Sequence, residues 1–114
     1  MVTSDLKIYK RTEQLLYLVY PRLINFPKSE KFALAEYIKN SFFEILKYMS
    51  LANSVRSKRM VYAQEADGHL QTLKVLIKLA KERKYLSIGF FEMVDLELTE
   101  LSKMLSGYIR ATRR

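Results

Sequence analysis

The chain has no cysteine, which excludes a disulfide framework, a thiolate metal site and a cysteine nucleophile. Its one histidine, His69, leaves no imidazole pair to hold a metal. Glu65 precedes it by four residues, and the Glu-x-x-His spacing of di-iron bundles occurs nowhere. Glycine is scarce, and Gly68, Gly89 and Gly107 stand apart, so there is no glycine-rich phosphate loop. Glu97 and Glu100 lie three apart but lack a nearby His or Cys, and read as a solvated acidic face. The sequence therefore offers no catalytic residue, no metal site and no cofactor site. The longest apolar run, Leu15 to Tyr20, falls far short of the ~20 residues that span a bilayer. The amino terminus shows neither an apolar signal region nor a cleavage site, so the expectation is a cytoplasmic, soluble protein.

What the sequence does have is a rhythm. Apolar residues recur at alternating steps of three and four in four stretches. The first runs Tyr9, Thr12, Leu16, Val19, Leu23, Phe26, and the second Ala35, Ile38, Phe42, Ile45, Met49, Ala52. The third runs Ala63, Ala66, Leu70, Leu73, Ile77, Ala80, and the last Phe91, Val94, Leu98, Leu101, Leu105, Tyr108. Residues so spaced share one face of an α-helix, which turns once in about 3.6 residues. Four such faces on 114 residues predict one all-α domain, an up-down-up-down antiparallel four-helix bundle.

The predicted helices cover residues 4–25, 28–52, 58–84 and 87–112. Ser4 or Asp5 is the expected cap of the first and Ser87 of the fourth. Pro21 removes a helical hydrogen bond, yet Leu23 and Phe26 continue the seam, so a kinked helix is expected there. Phe26-Pro27 forms the first joint. Gly68 lies inside the third helix, where it costs about 1 kcal/mol relative to alanine. Close packing against a neighbour and simple tolerance both account for it. Tyr37, Phe43, Tyr48, Val75, Leu79, Phe90, Met93 and Met104 exceed what four seams need. Part of this surplus is expected to face another subunit.

Charge is the second clue. The chain carries +8, although Glu92, Asp95, Glu97 and Glu100 fall in a stretch without Lys or Arg. Lys74, Lys78 and Lys81 form a helical stripe that Lys84 extends, with Arg83 alongside. Arg56, Lys58 and Arg59 cluster at the other end of that helix, and Lys103, Arg110 and Arg114 line the last helix, with Arg113 beside them. Each cluster alone could be ordinary solubility or complementation of a helix dipole. Together they predict contact with the phosphates of RNA or DNA, which gives affinity without sequence reading.

Tyr20-Pro21, then Phe26-Pro27 and the run Ser29-Glu30-Lys31-Phe32, resemble two related groups of bacterial four-helix bundles. One comprises the ribosomal RNA intervening-sequence proteins, and the other the accessory variability determinant (Avd) of diversity-generating retroelements. At the end of helix two the first group carries a Ser-Ile-Pro-like stretch followed by an Asn-Ile-Ala-Glu-Gly-like segment. Here the chain reads Leu46-Lys47-Tyr48-Met49-Ser50-Leu51-Ala52-Asn53 instead. Tyr62-Ala63 with Ala66-Asp67, and Gly107-Tyr108-Ile109-Arg110, are similar to Avd. That likeness implies a homopentameric barrel of bundles, no catalysis, and a reverse transcriptase with its template RNA as partners in mutagenic cDNA synthesis. It carries over no individual contact residue. An RNA-binding bundle of the intervening-sequence type and a purely structural oligomeric protein are the other readings.

Overall fold

The computed structural model describes residues 4–113 and is all-helical over them. Four helices, α1 (Ser4–Leu23), α2 (Leu34–Ser54), α3 (Arg59–Glu82) and α4 (Ile88–Thr112), make an antiparallel bundle 45 Å long. Each helix packs on the two that flank it, α1 on α2, α2 on α3, α3 on α4 and α4 on α1. This is the four-helix bundle that the seams predict.

The seams form the core. Every residue of the second and third is buried. In the first, Ile8 and Leu15 are buried beside Thr12, Leu16, Val19, Leu23 and Phe26, while Tyr9 moves to the half-buried rim. In the fourth, Phe90 is buried and Phe91 takes the rim. A globular helix buries a face wider than two positions per turn, so neighbours of a strict seam share the core. Burying each large side chain contributes roughly 1.5–3 kcal/mol.

The joints differ from expectation in ways that packing explains. α1 ends at Leu23, two residues past Pro21, and short bonds from Asn25 N–H to Arg22 O and from Phe26 N–H to Leu23 O finish it. The second helix does not start at Lys28. Lys28–Glu30 is a single 3₁₀ turn, and Ala33, at φ −124° and ψ −101°, interrupts the path before α2. No residue from Pro27 to Ala33 is buried, so nothing holds that polar segment in a core-facing helix. Arg56–Lys58 forms a second 3₁₀ turn before α3. Ser87 caps α4 as expected, its Oγ accepting from Phe90 N–H at 3.2 Å. α1 begins at Ser4, which puts Asp5 in its first turn; the Ser4 side chain lies outside the described residues.

α3 ends at Glu82 in a motif usually completed by glycine. Tyr85 N–H bonds to Ala80 O and Lys84 N–H to Lys81 O, both at 2.9 Å, with Lys84 left-handed at φ 64°. A left-handed L-residue costs roughly 1–2 kcal/mol. Lys84→Gly is therefore expected to stabilise the fold by about 1 kcal/mol, measured by urea unfolding. Gly68 is exposed, and an added Cβ would meet nothing within 4 Å. Close packing within the chain does not account for it. Gly68→Ala should gain up to about 1 kcal/mol and raise the thermal midpoint by about 4 °C, read by circular dichroism.

Candidate nucleic-acid and partner interface

Antiparallel order gathers the start of α1, the α2–α3 joint and the close of α4 at one end of the bundle. The α1–α2 and α3–α4 loops lie at the other. Residues 4–10, 51–62 and 103–113, the terminal end, hold eight Lys and Arg side chains against the single carboxylate of Asp5, a balance of +7. Residues 20–39 and 78–92, the loop end, hold eight basic groups against four carboxylates, or +4. The waist between them holds three against seven, or −4. The acidic stretch of α4 belongs mostly to this waist. The field thus rises toward both ends and is strongest at the terminal one.

This divides the predicted basic residues. Arg56, Lys58, Arg59, Arg110 and Arg113 come together at the terminal end, with Lys103 one to two turns along α4. Arg114 lies outside the described residues. Lys7 and Lys10 join this cluster from α1. They were missed because they stand apart in sequence, although antiparallel α1–α4 packing would have placed them. None of the ion pairs among the described residues involves Arg56, Lys58, Arg110 or Arg113. Charges without internal partners are free to meet an external anion.

Lys74, Lys78 and Lys81 keep their row along α3, and only Lys84 falls past its end. Lys74 sits half-buried in the acidic waist, and Lys78 is exposed. Lys81 is engaged within the chain, 3.2 Å from a Glu82 carboxylate oxygen and over the Phe91 ring at 5.1 Å. Lys84 leaves the helical path because the helix has already ended. Arg83 is exposed at the loop end, its pKa raised by the Tyr85 hydroxyl beside it.

Beneath the terminal cluster lies a small buried polar group. The Tyr108 hydroxyl donates to Asp5 Oδ2 at 3.4 Å, and Asp5 Oδ1 accepts from Leu6 N–H at 3.0 Å. Asp5 is buried to 1% exposure. Burial, reinforced by the Asp5 charge, pushes the Tyr108 phenol up to about 12, against the opposing pull of Arg59 and Arg56. Arg59 Nε is buried without a hydrogen-bond partner. One side of this end opens into a 260 Å³ groove between Lys7 and Ile8 on α1 and Met104, Gly107, Tyr108 and Ala111 on α4.

The remaining features are structural. Arg11 clasps Glu97 from α1 to α4, Nε to Oε1 at 2.8 Å and Nη2 to Oε2 at 3.0 Å. At 39% and 29% exposure the pair contributes at most about 1 kcal/mol, and mainly fixes how the two helices face. His69 is half-buried between α2 and α3, its Nε2 3.7 Å from Glu44 and its ring stacked on Tyr48 at 5.7 Å. Among the described residues there is no group of three His, Cys, Asp or Glu placed to hold a metal, and no helix long and apolar enough to cross a membrane. Of the apolar surplus, Tyr37, Phe43, Val75, Leu79 and Met93 are exposed, Phe90 is core, and Tyr48 and Met104 pack at its rim. Phe43 helps line a 330 Å³ apolar groove with Leu16, Tyr17, Tyr20 and Pro21.

The described residues thus form a four-helix bundle whose ends are basic, the terminal one most strongly. The comparisons make this more specific. Residues 6–112 match the model of the bAvd-like family, and the chain belongs to that family. The fold is also that of a crystal structure of a protein with unknown function from the S23 ribosomal protein family of Bacteroides thetaiotaomicron. The two share 15% identity at a TM-score of 0.82, over 95% of this chain and 99% of that one. No curated protein matches the chain.

The Tyr108 geometry predicts an alkaline transition. Its phenol is ordinarily near 10.0 and about 12 when folded, so the neutral form is favoured by folding. The resulting stability is complete below pH 10 and is lost as pH rises toward 12. Ultraviolet titration of the native protein should show one tyrosine ionising last. Tyr108→Phe should remove that last step and destabilise the fold by about 1 kcal/mol.

Proposed function

We propose that this protein is a non-catalytic accessory factor that binds a retroelement reverse transcriptase and its RNA or cDNA and supports mutagenic reverse transcription. The observation that carries the nucleic-acid half of this reading is the +7 balance at the terminal end, against +8 for the whole chain. A polyanion placed there meets Arg56, Lys58, Arg110 and Arg113, none of which is in an ion pair among the described residues, and releases counterions on binding. Contacts of this kind go to phosphates, so the protein holds RNA or DNA without reading sequence. Membership of the bAvd-like family supports the enzyme partnership.

The resemblance also implies a closed ring of five copies. All members of a cyclic ring point the same way along its axis, so their terminal ends would share one rim. Five such ends would give a strand several simultaneous contacts and raise avidity without new chemistry. The exposed apolar side chains at the waist and loop end then remain for protein contacts.

Binding of a single-stranded RNA, followed by fluorescence anisotropy over a range of salt, tests this directly. Arg56→Glu with Lys58→Glu and Arg110→Glu should weaken affinity more than about tenfold and flatten the salt slope by about 0.7 per lost contact. Lys74→Ala with Lys81→Ala should change affinity by less than about threefold, because one lies in the waist and the other is already engaged. Equal losses from both sets, or no RNA binding at low salt, would remove the terminal end from the function. The same folded variants assayed for co-purification with the reverse transcriptase and for template-dependent cDNA synthesis test the partnership. Unchanged synthesis with variants that no longer bind RNA would confine the role of the protein to enzyme contact.

A further inference from the structure

α3 carries seams on two opposite faces. The inner one is buried in the core. The outer one reads Val61, Glu65, Gly68, Thr72, Val75 and Leu79, about 200° around the helix from the first, and all six residues are exposed. Val61, Val75 and Leu79 are 53%, 66% and 45% exposed. A solvent-facing stripe normally carries the charged residues of a helix, whereas this one holds a single charge in a chain that is 28% charged. Depletion of charge is the compositional mark of an interface centre. Gly68 leaves a hollow in the middle of the face, since a Cβ there would meet nothing within 4 Å.

The stripe is also palindromic, with steps of four, three, four, three and four about residue 70. When α3 of a second copy is laid antiparallel across that point, the stripe meets itself in layers like those of an antiparallel coiled coil. Val61 then faces the partner's Leu79, and Gly68 faces the partner's Thr72. Lys78, exposed beside the stripe, comes within a helical turn of the partner's Glu65. Neither Glu65 nor Lys78 takes part in an ion pair among the described residues. A parallel arrangement in register would oppose Glu65 to the partner's Glu65 and repel. Charge and shape both select the antiparallel form.

We propose that the outer face of α3 is a self-association surface that takes a second copy of this chain antiparallel, about a two-fold axis near residue 70. Such a contact uses the same patch on both copies. It differs in kind from the head-to-tail contacts that close a ring, and it stands independently of the nucleic-acid reading. One helix pair is small beside the roughly 1,200 Å² of a standard stable interface, so pairing belongs in the micromolar range.

The cysteine-free chain gives a clean test. Val61→Cys and Leu79→Cys chains are oxidised separately and as a mixture. The mixture should form a disulfide-linked dimer, and neither variant alone should, because like positions lie about 27 Å apart along the antiparallel pair. Glu65→Lys and Lys78→Glu should each weaken self-association about tenfold by sedimentation equilibrium, and the double reversal should restore it to within about threefold. Circular dichroism should report the same helicity throughout. The absence of a mixed cross-link, equal cross-linking of each variant alone, or failure of the double reversal to recover association would overturn the proposal. A different protein covering this face would give the first of these results.

Discussion

Burial of four apolar faces against one another governs everything else in this molecule. Val19, Ile38, Phe42, Ile77 and Leu98 are excluded from water only if their helices stand side by side with those faces inward. Joints of four to ten residues then let each helix reverse on its predecessor. That reversal is a packing consequence with an electrostatic result. It carries the basic start of α1, the basic α2–α3 joint and the basic close of α4 to a common end, although they are scattered through the sequence.

Smaller interactions tune the packing without creating it. Arg11 and Glu97 hold α1 in a defined rotation against α4. At the loop end, Phe26 packs on Tyr85 at 5.2 Å and the Tyr85 hydroxyl donates to Glu30 at 3.1 Å, which ties the two loops to each other. Arg22 lies over the Phe90 ring at 4.1 Å in the same region. Arg11 and Arg22 are thereby engaged, whereas no ion pair or cation–ring contact among the described residues takes Arg56, Lys58, Arg110 or Arg113. The contrast in available charge follows from where aromatic rings and carboxylates fall relative to the basic residues once the bundle closes.

The outer face of α3 shows the same logic applied outward. A helix in a bundle has one face for its own core and needs polar groups on the other to stay in solution. Where the outer face instead exposes Val61, Val75 and Leu79 at helical spacing with a single charge among them, the helix can be buried twice, once by its own chain and once by a neighbour. Gly68 is unexplained within one chain and becomes reasonable if a neighbouring backbone approaches it.

The helices, their order and most of the core were legible in the sequence because helical period and side-chain apolarity are local properties. Ala35, Ile38, Phe42, Ile45, Met49 and Ala52 announced a buried face without any knowledge of the neighbouring helix. The same holds for the Ser87 cap, which depends on an amide three residues away. The exchange of Tyr9 for Ile8 and of Phe91 for Phe90 was not legible, because the rotation of each helix is set by what it packs on. Nor was the early end of α3, which turned Lys84 off its stripe. The basic clusters could be counted from sequence but not joined, since distance between charges is a property of the packed bundle. Residue type and spacing determined that this chain would be a basic four-helix protein. Only the packed bundle decided that its positive charge would gather at the two ends, most strongly at the terminal one, because packing brings the start of α1 beside the close of α4.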